Sequence, residues 1–171
     1  LHASRQHIRE KENVIIVEGY MDFLQLYQAG IQNVIALSGT ALTENHAIKI
    51  RKFTKQVFLA YDGDSAGIDA SIRAGYILLK LGIDPEIISV PNKMDPDDWV
   101  KRSGPDEFSN ALGNATPALK FHIRTKMAHS LPAIEKSDFV GEVLSKIVSI
   151  NDGIIRGELL KFLASFSPQY P

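Results

Sequence analysis

Four short apolar runs, each closed by a polar turn and most followed by a helical period, constrain the fold of this chain more than any other feature. Residues 14–17 (Val-Ile-Ile-Val), 34–37 (Val-Ile-Ala-Leu) and 57–61 (Val-Phe-Leu-Ala-Tyr) carry no polar interruption, as strands buried on both faces do, and residues 86–90 complete the set. Between them, Phe23, Leu24, Leu26 and Tyr27 mark one helical face closed by Gly30. Ala47, Ile48, Ile50, Arg51 and Phe53 mark the inner face of a helix that Thr43 can cap. Ile72, Tyr76, Leu78 and Leu79 mark a third helix that ends at Gly82. Crossovers of this length suit right-handed βαβ units, so the expected fold is α/β, a doubly wound parallel sheet flanked by helices. Residues 3–10, polar apart from Ile8, read as the end of a helix whose partner lies upstream.

A parallel sheet sends the residues after each strand to one edge, where open α/β sheets bind ligands. Glu18, residues 38–40, residues 62–64 and, a little past the fourth strand, residues 95–98 are thereby gathered into one crevice. The stretch Val57-Phe-Leu-Ala-Tyr-Asp-Gly-Asp-Ser-Ala-Gly67 gives the sharpest case. Its strand stops at Asp62-Gly63-Asp64, and Gly63 lets the backbone turn so that both carboxylates can face one hard cation. An Asx-turn that happens to be acidic explains Asp-Gly-Asp alone equally well. The further acids at the same edge favour the cation.

Glu18, Asp62, Asp64, Asp95 and Asp97 form a carboxylate-rich set with no histidine or thiol, suited to Mg²⁺ or Mn²⁺ and not to zinc. Two such ions about 3.5–4 Å apart can bind the attacking and leaving oxygens of a phosphate displacement. Without cations, five clustered carboxylates raise one another's pKa. Asp22 reads either as the N-cap of the helix through Phe23 or as an acid behind the ligands. Asp84 and Asp98 read as solvated.

With 171 residues the chain can hold one substantial core, or one domain with an appendage. Its net charge of −1 provides no overall basic field for nucleic acid, so the cations would come from metal, a local patch or another part of the protein. The absence of cysteine excludes disulfides, thiolate zinc sites and cysteine nucleophiles. The five histidines show neither HxxxH nor HExxH spacing. No apolar run approaches bilayer length and no signal-peptide pattern opens the chain, so a cytoplasmic location is expected. The start at Leu1 suggests a segment of a longer protein. Gly39 and Thr40 can offer backbone N–H groups to a phosphate, though a plain turn explains them equally. Lys93 is a candidate phosphate contact on a loop. His46, Arg51 and Lys52 read as surface. Trp99 reads as a base-stacking ring or as an anchor where sheet gives way to helices.

After Asp98 the pattern becomes helical throughout, over residues 99–102, 105–112, 117–130, 135–150 and 153–166, with no strand expected. Two units follow: residues 1–100, opened by the short helix end at 1–12 and built on the sheet, and a helical subdomain at 101–171 whose last residues, 167–171, are expected to fray.

Four motifs, in this order, resemble a known family: Val17-Glu-Gly-Tyr-Met-Asp22, Leu37-Ser-Gly-Thr-Ala-Leu-Thr43, Tyr61-Asp-Gly-Asp-Ser-Ala-Gly67 and Asp95-Pro-Asp97. Together they look like the TOPRIM domain of bacterial replicative primases, and the helical remainder is similar, on looser patterns, to the subdomain that follows it. The resemblance implies an enzyme that joins ribonucleoside triphosphates into short RNA primers on single-stranded DNA, with Mg²⁺ or Mn²⁺. It implies that Glu18 is a metal ligand or acid/base group, that Asp62 and Asp64 are metal ligands, that Asp95 and Asp97 are a later acidic pair, and that Asp22 stands behind them. A replicative helicase is implied as a partner, engaged through a C-terminal domain outside this chain. Family polymerases also carry a zinc module and a basic subdomain before TOPRIM; this chain has neither, so it is expected to bind metal yet make few or no primers alone. Ile68 stands where relatives often carry a basic residue, and no phosphate contact is expected from it.

The same acids in a TOPRIM nuclease or topoisomerase would break a phosphodiester, but no tyrosine here is marked as a nucleophile. A signalling receiver would want adjacent acids after the first strand, where this chain has Glu-Gly. A non-catalytic docking module would tolerate alanine at Glu18 and Asp62.

Overall fold

Each of the four apolar runs forms a strand in the computed structural model, which describes residues 2–127 and 131–166. After α1 (Arg5–Lys11) come β1 (Asn13–Val17), α2 (Tyr20–Gln28), β2 (Val34–Ala36), α3 (Glu44–Arg51), β3 (Gln56–Leu59), α4 (Ser65–Lys80) and β4 (Asp84–Ile87). The chain continues through α5 (Pro96–Ser103), α6 (Pro105–Gly113), β5 (Thr116–Pro117), α7 (Ala118–Met127), α8 (Ala133–Val148) and α9 (Gly153–Phe166). The expectations for 128–130 and 167–171 fall outside the described residues. No helix among the described residues is long and apolar enough to cross a membrane.

The strand order is β2-β1-β3-β4-β5. The first three pairings are parallel, with Ile15 opposite Val34 and Phe58, and Phe58 opposite Glu86. Burial on both faces explains the unbroken apolar sequence: Val14 to Val17 are each no more than 1% exposed. Burying each such side chain contributes about 1.5–3 kcal/mol. Alternate residues supply two cores. Val14, Ile16, Val57 and Leu59 pack with Ala47 and Ile50 of α3 and Leu78 of α4, while Ile15, Val17 and Phe58 pack with Leu26 of α2, Trp99 and Val100 of α5 and Phe108 of α6. A third core joins α7, α8 and α9 through Ile123, Phe139, Val143, Ile147 and Leu163.

Three expectations are corrected. The sheet is mixed, because β5, in the stretch expected to hold no strand, pairs antiparallel with β4 (Ile87 opposite Thr116). A two-residue edge strand ending in proline is too short to show a period of two. β4 begins and ends earlier than its apolar run, since pairing with β3 sets its span: Gln56 lies opposite Asp84 and Leu59 opposite Ile87. On α3 the inner face is Ala47 and Ile50, while Ile48 is 46% exposed and Arg51 also faces solvent. Thr43 does cap α3, its hydroxyl accepting from the His46 N–H at 3.2 Å. Gly30 closes α2 at a φ of 91°, a conformation glycine adopts without strain.

Candidate functional site

The carboxyl ends of β1, β3 and β4 deliver the acids to one edge. Glu18 follows β1 directly, and its Oε1 lies 3.4 Å from the Asp62 N–H, just past the end of β3. The Asp62–Asp64 turn is clamped against the loop after β4. Gly63 donates its N–H to the Met94 carbonyl at 2.8 Å, and the Lys93 N–H approaches the Gly63 carbonyl at 3.4 Å. Gly63 is required for close approach and not for a left-handed turn: a Cβ there would lie 2.1 Å from the Pro91 carbonyl oxygen. Gly67 is packed in the same way, its Cβ position 2.2 Å from the Asp62 carbonyl oxygen.

Two of the acids are helix caps. Asp64 accepts from the Gly67 N–H at 2.8 Å at the start of α4, and Asp95 from the Asp98 N–H at 2.6 Å at the start of α5. Helix N-termini favour negative charge, which offsets part of the repulsion in the cluster. Asp22 is not the N-cap of α2. It sits one turn in, 6% exposed, where its carboxylate accepts the Gly19 N–H at 2.9 Å and reaches across to the Asp97 N–H at 3.1 Å. One buried side chain thus ties the loop after β1 to the start of α5.

The charges act on one another. Burial, followed by the charges of Glu18, Asp22, Asp95 and Asp64, pushes the Asp62 carboxyl up to about 6. Burial also raises Asp22, against the hydrogen bonds from Asp97 and Gly19 that lower it. Oxygens of Asp95, Asp97 and Asp98 lie within 4.8 Å of one another, close enough for one metal ion. Asp97 Oδ2 pairs with the Lys101 ammonium at 2.6 Å, whereas its Oδ1 is buried with no hydrogen-bond partner among the described residues. A buried, unpaired carboxylate oxygen beside two further carboxylates suits a hard divalent cation.

Asp98, expected to be solvated, belongs to this group while also approaching Arg102 at 3.5 Å. The acidic run Asp95-Pro96-Asp97-Asp98 at a helix start is the only sequence signal for it. Asp84 is exposed, as expected. Lys93 is exposed at φ 62°, its backbone near the acids and its side chain without a partner among the described residues. Gly39 (φ 80°) and Thr40 are exposed in the turn after β2, where the Thr40 hydroxyl donates to the Leu37 carbonyl at 2.8 Å. His46 lies half-buried at the surface of α3. Trp99 is a buried anchor: its indole N–H donates to Glu107 at 2.9 Å and its ring packs 5.3 Å from that of Phe108, joining α5 to α6.

A β-sheet edge lined with acids after three parallel strands agrees with the family comparison: the chain belongs to the Toprim-like family, whose model matches residues 15–100. Beyond that match, the chain is similar to the DNA primase of Listeria monocytogenes, 34% identical over 165 residues that cover 94% of this chain and 26% of that protein. Among solved structures it is similar to the Aquifex aeolicus primase, zinc-binding and RNA polymerase domains, with a TM-score of 0.84 and 32% identity over 100% of this chain and 41% of that one. It is also similar to a DnaG primase catalytic domain bound to single-stranded DNA, with a TM-score of 0.82 and 28% identity over 95% of this chain and 53% of that one. The chain spans about a quarter of the length of the curated relatives it matches.

Proposed function

We propose that this chain is the metal-binding catalytic segment of a DNA primase, which joins ribonucleoside triphosphates on single-stranded DNA with release of pyrophosphate. The observation that carries this reading is the group of Asp95, Asp97 and Asp98, whose oxygens lie within 4.8 Å of one another, beside Asp62, whose carboxyl burial first and then the charges of Glu18, Asp22, Asp95 and Asp64 push up to about 6. An all-carboxylate set with a buried, unpaired Asp97 Oδ1 fits Mg²⁺ or Mn²⁺. Such ions, when bound, stabilise the attacking and leaving oxygens of a phosphoryl displacement.

In this reading Glu18, Asp62 and Asp64 are the catalytic acids and share the cations with Asp95 and Asp97. Asp22 acts through its neighbours, fixing the Gly19 and Asp97 backbones. Gly39, Thr40 and Lys93 border the substrate. Residues 1–100 supply the TOPRIM unit, and 101–171 the helical unit that braces it through Ala118 and Phe121 of α7 in the sheet's core. The partners are single-stranded DNA, which the similar DnaG catalytic domain binds, ribonucleoside triphosphates and a replicative helicase, all in the cytoplasm. The likeness to primases favours polymerisation over cleavage by the same acids. The segment spans about a quarter of the length of its relatives and alone is expected to make few or no primers.

The test is a chimera in which this chain replaces the matching segment of the Listeria primase. Primer synthesis from ribonucleoside triphosphates is expected, and its loss on Asp62→Asn with Asp64→Asn. A folded chimera without activity, or a double variant that still primes, would overturn the reading.

A further inference from the structure

On the flank of Glu18 opposite α5 a cleft of about 320 Å³ opens between the turn after β2 and the middle of α4. Glu18, Gly39, Thr40, Tyr61 and Arg73 line it, with Ala70 and Ala74 leaving space beside Arg73. Two donors there lack partners. Tyr61 is 5% exposed, and its hydroxyl is buried without a hydrogen-bond partner among the described residues. A buried hydroxyl left unpaired costs about 1–3 kcal/mol, a cost that an acceptor atom of a ligand would remove. Arg73 is exposed and forms no ion pair or hydrogen bond among the described residues. Guanidinium forks match phosphate oxygens in geometry and charge.

We propose that this cleft is a polyphosphate subsite, in which the Arg73 guanidinium and the Tyr61 hydroxyl donate to phosphate oxygens that extend past Glu18 from the acidic edge. The proposal rests on the metal reading above, because a bare Glu18 carboxylate at the mouth repels an anion and a divalent cation removes that repulsion. The shared chemistry has two sources, the tail of a nucleoside triphosphate or released pyrophosphate. No covalent step is involved; the subsite binds and orients.

Equilibrium dialysis of ATP and of radiolabelled pyrophosphate against the full chain at saturating Mn²⁺ tests it. Arg73→Gln is expected to weaken binding about tenfold, the loss of one charge-assisted contact, and Arg73→Lys less, since it keeps the charge without the fork. Tyr61→Phe is expected to weaken binding about threefold while raising the melting temperature, because the unpaired hydroxyl is gone. A purely structural Tyr61 would give the higher melting temperature with binding unchanged. Weakening for ATP alone assigns the substrate's tail, and for pyrophosphate alone the product. A parent chain that binds Mn²⁺ but no polyphosphate, or an Arg73→Gln chain that binds like the parent, overturns the subsite and leaves the metal site standing. Arg73-dependent pyrophosphate binding by a chain that takes up no Mn²⁺ supports the subsite and overturns the metal reading.

Discussion

Asp62→Asn should stabilise the metal-free protein while removing its response to metal. Burial and four neighbouring carboxylates lift the Asp62 carboxyl from 3.8 to about 6. A native pKa above the unfolded one means that the folded chain holds more protons between about pH 4 and pH 6, so stability falls as pH rises through that window and stays lower above it. At about 1.4 kcal/mol per pH unit the lift corresponds to about 3 kcal/mol, which solvent screening of a partly exposed carboxyl reduces to about 1–2 kcal/mol. Asparagine keeps the shape and discards the charge. For a chain of 171 residues the melting temperature in EDTA at pH 7.5 should rise by about 3–6 °C, and the gain should shrink toward pH 4.5. Adding MnCl₂ should then raise the melting temperature of the parent well above that of the variant, by mass action on the native state. A variant less stable than the parent in EDTA, or a gain that ignores pH, would refute this reasoning.

Other perturbations probe the supports of the site. Gly63→Ala drives a Cβ to 2.1 Å from the Pro91 carbonyl oxygen and should cost about 2–3 kcal/mol in urea unfolding, with loss of the Mn²⁺ shift. Asp22→Ala leaves the Gly19 and Asp97 N–H groups without their acceptor; a loss of about 1–3 kcal/mol and weaker Mn²⁺ uptake in calorimetry are expected. His122, buried between Tyr76 and Phe139, is held down at about 4 by burial and then by Lys146. The unfolded chain binds the extra proton between about pH 6.5 and pH 4, so stability should fall by up to about 3 kcal/mol as pH drops through that range. Urea unfolding at pH 7 and pH 4.5, parent against His122→Gln, should show the fall in the parent alone.

The strands and the acidic edge were legible because two-sided burial writes unbroken β-branched runs and parallel topology sends every following loop the same way. What stayed hidden depends on partners distant in sequence. Gly63 reads as a turn residue, but its reason is the Pro91 carbonyl against which it packs. Asp22 reads as a cap, and its second contact, Asp97, lies 75 residues on. Asp98 looks like any first-turn acid until its neighbours are placed beside it. β5 carries too few residues to show a period, and Arg73 looks like one more exposed helix cation until the turn after β2 closes a cleft over it.

The most direct measurement is an anomalous difference map from crystals of this chain soaked in manganese. A peak among the side chains of Glu18, Asp62, Asp95 and Asp97 is expected, and its disappearance when Asp62 and Asp64 are both replaced by alanine. An edge that stays without a peak at full soak, or manganese found only elsewhere on the surface, would contradict the reading of these acids as a cation site.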